Sequence, residues 1–203
     1  MYSKSMSSIS TSRARAPNYL ERMTYLQVER LATRTELALL PVGPAEAHGP
    51  HLPLDTDLIV ARELCERGAW ELAARGIECL VAPLLHYCLA EVAGPFPGTI
   101  SVRAEVVAEL IADICQGLAR PGFRRILVVS GHAEEETLAA LRAGAEQAVK
   151  AGALVRVSKW YGDALPKLLP LLQEELLEYD LHAGEWETAL VLIYCGDPRQ
   201  ATP

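Results

Sequence analysis

The stretch "ELALLPVGPAEAHGPHLPLDTD" (residues 36–57) joins a continuous apolar run to a loop crowded with polar side chains. The apolar run occupies residues 36–42 and ends at Gly43 and Pro44. Apolar runs bounded by Gly or Pro are typical of strands buried on both faces, as in a parallel sheet. The loop beyond it can bury little apolar surface, yet it contains Glu46, His48, His51, Asp55 and Asp57. The stretch therefore predicts a buried strand followed directly by a cluster of acids and histidines.

The rest of the chain continues this alternation. Further strands are predicted from "IECLVAP" (77–83), "RRILVVSG" (124–131) and "ALVRVSKW" (153–160). Helical spacing marks residues 57–76, 101–122 and 134–152, and a proline-interrupted helix is expected over 164–179. Alternating strands and helices favour right-handed crossovers. We predict an α/β protein with a three-layer α/β/α architecture and a mainly parallel central sheet.

Length and composition narrow the functional class. A chain of 203 residues is the length of one domain, which we place over residues 23–203, after a disordered Ser-rich and basic leader at residues 1–22. No apolar run approaches the ~18 residues of a membrane span, so a cytoplasmic protein without a membrane partner is expected. The net charge of −7 argues against nucleic acid as a partner. The five scattered cysteines fit reduced thiols.

Four of the five histidines fall in three polar clusters: the loop already quoted, "SGHAEEE" (130–136) and "HAGEWET" (182–188). Two of these clusters follow predicted strands, where parallel sheets gather functional groups. Glu46 and His48 share a face of an extended loop, and His132 with Glu134 repeats the pairing of imidazole and carboxylate. Mixed oxygen and imidazole ligands suit zinc, manganese or iron(II). The pattern favours a metal site.

Several of these residues also have a purely structural interpretation. Asp57 could cap the following helix, and Glu135 and Glu136 fit a solvated first helical turn better than a metal site. His51 could order the loop or form a wall of the site. Asp55 is assigned to ordering of the loop or helix start.

The polar motifs resemble those of the creatininase family of metal-dependent amidohydrolases. The resemblance is carried by "LLPVGPAEAHGPHLPLDTDLIVA" (39–61), by "GTIS" (98–101) with "GFRRILVVSGHAEE" (122–135), and by "HAGEWETALVL" (182–192). It covers about residues 23–198. It implies one divalent ion held by Glu46, Asp57 and His132, and a second held by His48, the bridging Asp57 and Glu134. Glu187 is the alternative ligand at the second ion.

The resemblance also implies a reaction. Two ions, of zinc, manganese or iron, would share Asp57 and supply a bridging hydroxide that cleaves a C–N bond of a small amide or cyclic amide. His182 matches the histidine that handles protons, and we group it with Glu187 as catalytic. His51, Trp160 and Trp186 are candidate pocket residues, although the two tryptophans fit packed core aromatics at least as well.

Two alternatives to a small amide substrate remain open. Formamide or peptide hydrolysis in cofactor biosynthesis would use the same metal centre, because the family includes hydrolases of both kinds. A non-catalytic creatininase-like binding scaffold is the third possibility. The tryptophan that encloses the ring in creatinine-cleaving members falls near Glu178 here, which disfavours creatinine itself. The family implies a homo-oligomer, with a hexamer as one form.

Overall fold

A computed structural model describes residues 17–168, 170 and 182–195. In these ranges the chain forms five strands, one 3-10 turn and six α-helices, in the following order: β1 Asn18–Tyr19, the turn Leu20–Arg22, α1 Tyr25–Ala32, β2 Leu37–Val42, α2 Thr56–Ala74, β3 Leu80–Val81, α3 Ala104–Ala119, β4 Arg125–Ser130, α4 Glu135–Lys150, β5 Leu154–Val157, α5 Trp160–Leu168 and α6 Glu185–Cys195. No helix within the described ranges combines the length and the apolar character that a membrane crossing requires.

The strands form one parallel sheet in the order β1-β3-β2-β4-β5. The central pair, β2 and β4, runs in register from Leu37 opposite Arg125 to Val42 opposite Ser130. Both strands therefore end at the same level of the sheet. The loops that follow them, which carry the predicted site residues, emerge side by side.

Both faces of the sheet are covered, as the apolar character of β2 predicts. Leu40 and Val42 lie in a core cluster with Val107 of α3 and Leu141 of α4. The intervening Leu39 belongs to a second cluster, on the side of α2. Alternate residues of one strand thus pack against helices on opposite faces. The predicted α/β/α architecture with a parallel sheet is confirmed.

Several predicted boundaries are wrong, for identifiable reasons. The strand expected over 77–83 shrinks to Leu80–Val81, although the backbone of Leu85 still pairs with β2. Pro83 lies between these points and has no N–H to donate, so the regular ladder stops there. The strand expected over 153–160 ends at Val157, because α5 already begins at Trp160.

The leader predicted over residues 1–22 is too long. Asn18–Tyr19 pairs with β3, and Leu20–Arg22 forms the 3-10 turn, whereas residues 1–16 lie outside the described ranges. Helix α1 was also missed. Its signal is Thr24-x-x-Gln27: the backbone N–H of Thr24 donates to Oε1 of Gln27 at 2.7 Å, half of a capping box. The helix predicted over 164–179 is described only to Leu168, and Glu178 lies outside the described residues.

Candidate metal centre

The predicted site residues converge at the carboxyl ends of β2 and β4. Glu46 and His48 lie on the loop after β2, and His132 lies on the loop after β4. Asp57 is the second residue of α2, so it does not cap that helix. Glu187 comes from the first turn of α6. All five side chains are buried.

Asp57 lies at the centre of the group. One carboxylate oxygen, Oδ1, is 3.3 Å from Nε2 of His48, and the other, Oδ2, is 3.1 Å from Nδ1 of His132. The side chain is almost completely inaccessible to solvent. This single carboxylate therefore faces both neighbouring loops at once.

Two glycines allow this close approach of α2 to the sheet. A Cβ atom on Gly131, directly after β4, would lie 1.9 Å from the backbone oxygen of Asp57 and 2.7 Å from its carbonyl carbon. A Cβ atom on Gly43, directly after β2, would lie 3.1 Å from the Cβ of Asp57. Neither glycine was singled out as functional from the sequence. Their signal is a glycine placed between an apolar run and a polar cluster, where the backbone of another element approaches.

Two groups of three side chains have the composition and spacing of metal sites. The first consists of Glu46, Asp57 and His132, whose ligand atoms all lie within 4.8 Å of one another. Within it, Nδ1 of His132 is 3.0 Å from Oε2 of Glu46. Two carboxylates and one imidazole form a ligand set suited to zinc or manganese.

The second group consists of His48, His182 and Glu187, with the same 4.8 Å limit. Nε2 of His48 lies 3.8 Å from Oε1 of Glu187. The other oxygen of Glu187 accepts a hydrogen bond from the backbone N–H of Ala183. Ala183 has a left-handed backbone with φ of 56°, a conformation that costs energy in a non-glycine residue. This turn fixes the Glu187 carboxylate with one oxygen towards His48.

The structure separates the two acids between which the sequence left a choice. Glu187 belongs to the group of His48, whereas Oε2 of Glu134 lies 3.1 Å from Nε2 of His132. Metal-binding histidines commonly use their second nitrogen to contact a carboxylate, which fixes the ring orientation. The contact between Glu134 and His132 resembles this arrangement.

Three buried ligand-type atoms make no hydrogen bond in the described part of the chain: Oε2 of Glu46, Nε2 of His48 and Oδ2 of Asp57. Buried polar atoms are normally hydrogen-bonded, because desolvation without compensation costs free energy. Here the three atoms come from three different segments and converge on one region. Bound cations would satisfy them, so the residues fit the metals that the sequence motifs imply.

The pKa values of the buried acids also favour bound cations at this site. Burial raises the pKa of Glu46 to about 7, with the charge of Asp57 adding to the effect. Burial likewise raises the pKa of Glu187 to about 7. Burial also disfavours the charge on Asp57, but the neighbouring His132 and His48 outweigh this effect and hold its pKa at about 2. The raised pKa values mean that negative charge is unfavourable on Glu46 and Glu187, and a bound cation would stabilise that charge.

The histidines carry that compensation when no metal is bound. Burial lowers the pKa of His48, but Asp57 and Glu187 outweigh this effect and raise it to about 9. Asp57 and Glu46 raise the pKa of His132 to about 9 in the same way, against an opposing effect of burial. The protonated rings thus supply the positive charge that bound cations would otherwise supply. Because metal ligands must be deprotonated, metal binding here displaces protons.

His182 differs from these two histidines because its side chain is 44% exposed. Its Nε2 lies 2.8 Å from the backbone oxygen of Ala47. Since a carbonyl oxygen only accepts, Nε2 carries the proton of the neutral ring and Nδ1 is left as an acceptor. Partial burial lowers the pKa of His182, which favours this neutral form near pH 7.

The predicted pocket residues are placed less directly than the ligands. His51 is exposed, and its Nε2 lies 3.1 Å from Oγ1 of Thr188 on α6. Trp160 and Trp186 contact each other edge to face, with ring centroids 6.0 Å apart. A cavity of about 800 Å³ opens beside Glu46, His132 and His182. Neither tryptophan lines this cavity. Tyr161, which contacts both of them, does.

Comparison with known proteins agrees with this geometry. Residues 21–200 match the family model described as "Creatininase: Creatinine amidohydrolase". The chain is 29% identical to the creatinine amidohydrolase of Pseudomonas putida over 188 residues, which cover 86% of this chain and 70% of that one. It is 30% identical to the mycofactocin precursor peptide peptidase of Mycolicibacterium smegmatis, covering 80% of this chain and 60% of that one. It thus spans less than two thirds of the peptidase.

Solved structures show the same fold. A crystal structure of creatinine amidohydrolase superimposes with a TM-score of 0.74 at 26% identity, covering 87% of this chain and 71% of that one. A structure titled "Creatininase Mn" gives a TM-score of 0.72 at 24% identity, covering 87% and 72%. A "Zn-Zn type" creatininase mutant gives 0.70 at 24% identity, covering 88% and 72%.

Proposed function

Because this chain belongs to the creatininase family of hydrolases, we propose that it cleaves a C–N bond of an amide with two divalent metal ions that share Asp57. The observation that carries the proposal is the position of the Asp57 carboxylate. Its two oxygens face His48 and His132, one residue from each of the two ligand groups. Manganese and zinc, named in the titles of similar structures, suit these ligands.

Each side chain has an assigned part in the metal centre. Glu46, Asp57 and His132 would hold one ion, and His48, Asp57 and Glu187 would hold the other. Glu134 fixes the ring of His132 through its other nitrogen. When bound, such ions lower the pKa of a coordinated water towards ~7 and polarise a substrate carbonyl.

His182 supplies the proton that C–N cleavage requires. An amide nitrogen leaves readily only when it is protonated, so a proton carrier must face the substrate. His182 lines the cavity, and its Nδ1 is the free acceptor of the neutral ring. We assign Nδ1 the role of taking a proton from the attacking water and delivering it to the departing nitrogen.

A peptide amide is a second candidate substrate, because the mycobacterial relative at 30% identity is a peptide peptidase. A formamide is a third, since cleavage of its C–N bond needs the same groups. A non-catalytic scaffold is disfavoured because five of the predicted ligands fall in the two metal-type groups, namely Glu46, His48, Asp57, His132 and Glu187. We also propose that the protein is a cytoplasmic homo-oligomer, whose subunit number sedimentation would measure.

An activity assay tests this function. Protein loaded with two equivalents of manganese or zinc is expected to release ammonia or formate from simple amides, and a chelator should abolish the release. Glu46→Gln should lose both metal and activity, whereas Glu36→Gln, at an exposed carboxylate paired with Arg125, should behave as wild type. Two bound ions without turnover of creatinine, other cyclic amides, formamide or dipeptides would favour the scaffold.

A further inference from the structure

The cavity beside the metal centre is much larger than a small cyclic amide requires. Its volume of about 800 Å³ lies towards the upper end of the ~300–1,000 Å³ range of sites that bury drug-sized ligands. Glu46, His132 and His182 lie on its wall, so the space is continuous with the proposed centre. A substrate that reaches the metals from this space can extend well beyond its scissile bond.

One side of the cavity presents exposed apolar side chains. Val92 and Phe96 line the cavity and are 79% and 60% exposed. Ala93, between them, is buried and also lines the cavity. Apolar side chains left this open next to a binding site are usually covered when the ligand binds.

The loop that carries these side chains is held at both ends. Near its start, the Oγ of Ser101 accepts a hydrogen bond from the N–H of Ala90 at 3.0 Å. Near its end, the Oγ1 of Thr99 accepts one from the N–H of Ala47 at 3.0 Å. Ala47 lies between the predicted ligands Glu46 and His48. The apolar wall is therefore fixed relative to the metal centre, and little ordering is required when a ligand binds.

Charge on the cavity wall restricts the substrate further. The described residues that line the cavity include Glu46 and Glu134 but no Lys or Arg. A carboxylate on the distal part of a substrate would find no Lys or Arg partner among these residues. An uncharged group matches the wall better.

We infer that the substrate of this centre is an amide whose distal part is an uncharged apolar group of about the size of a phenyl ring, held against Val92 and Phe96. The inference rests on the proposed hydrolase function, because it places the amide at the metals. It distinguishes this substrate from a small polar cyclic amide and from a peptide fragment that ends in a free carboxylate.

Hydroxamates test the inference by binding, independently of turnover, because they chelate divalent metals without being hydrolysed. Calorimetry on zinc-loaded protein would compare acetohydroxamate, phenylacetohydroxamate and 4-carboxyphenylacetohydroxamate. The phenyl compound is expected to bind at least about tenfold more tightly than the methyl compound, since its ring leaves water for an apolar wall. The carboxylated compound should lose most of that gain.

Variants locate the effect on the wall. Phe96→Ser and Val92→Ser should each reduce the preference for phenyl over methyl several-fold, with the acetohydroxamate affinity of the same variant as the reference. Tyr87→Ser is the matched control, because Tyr87 is 52% exposed and does not line the cavity. Equal affinities for phenyl and methyl, or a preference that Phe96→Ser leaves intact, would overturn the inference. So would a change of subunit number in Phe96→Ser with unchanged affinities, which would make the patch an interface between copies.

The two hypotheses fail in different ways. Hydrolysis of acetamide with no phenyl preference would refute the inference and leave the hydrolase function standing. A phenyl preference in binding, without hydrolysis of phenylacetamide or of any of the cyclic amides, formamide and dipeptides named above, would refute the function and leave the specificity of the cavity standing.

Discussion

Replacement of Gly131 by alanine is expected to disrupt the metal centre without touching any ligand. The new Cβ would lie 1.9 Å from the backbone oxygen of Asp57, and real Cβ atoms essentially never approach closer than 3.0 Å. Either β4 or the start of α2 must therefore move by about 1.1 Å. Metal–ligand distances tolerate only about 0.2 Å, so Asp57 cannot keep both of its proposed contacts.

The expected loss of metal affinity is large because the new Cβ would meet backbone atoms of Asp57, which cannot move aside as a flexible side chain can. We expect metal affinity to fall by at least about tenfold, the lower end of what changes to groups that orient metal ligands cost. The strain should also reduce the free energy of unfolding by about 1–3 kcal/mol, as for other overpacked interiors. Titration calorimetry with zinc and manganese measures the first effect, and thermal or urea unfolding in chelator measures the second.

Two further glycines make a graded series. In Gly43→Ala the new Cβ would contact Asp57 at 3.1 Å, so a weaker effect of the same kind is expected. This variant keeps the test informative if Gly131→Ala does not fold. Gly68→Ala, in the middle of α2, would place its Cβ no closer than 4.0 Å to Leu39. It should leave metal affinity unchanged and stabilise the helix by ~0.5–1 kcal/mol. Wild-type metal affinity in folded Gly131→Ala would refute this account of the site.

Three other predictions follow from the same groups. The raised pKa values of His48 and His132, about 9 each, mean that their contribution to stability is complete below pH ~6.5 and is lost as the pH rises through 9. The Tm of metal-free protein should therefore fall between pH 6.5 and 9, and a flat or rising Tm would contradict this. Glu187→Gln should leave one ion per chain by metal analysis, whereas Glu134→Gln should keep two with ~10–100-fold weaker binding; the reverse result would make Glu134 the ligand. His182→Gln should keep both ions and lower kcat by ~10²–10⁴-fold, and an unchanged kcat would exclude its role as proton carrier.

The sequence predicts the parts of this protein that depend on local pattern. The apolar character of β2 and β4 is enough to predict strands that are buried on both faces of a parallel sheet, and the polar residues after them mark the site. It fails for β1, because two residues held by pairing to β3 have no periodicity of their own. The sequence pattern also does not show that the regular strand ends before Pro83. Backbone pairing continues on both sides of this residue, which has no N–H to donate.

The grouping of ligands could not be predicted from one chain segment at a time. Glu134 and Glu187 have equal chemistry, and only the placement of α6 against the β2 loop brings Glu187 near His48. The role of Gly131 is hidden for the same reason, since it depends on the distance between β4 and the start of α2. Both are properties of packing between elements that are distant in sequence.

Anomalous scattering from crystals loaded with zinc, and separately with manganese, tests the central claim most directly. Two peaks are expected, one on either side of the Asp57 carboxylate. One should lie next to Glu46 and His132, and the other next to His48 and Glu187. A single peak, or two peaks that do not share Asp57, would contradict the proposed dinuclear centre.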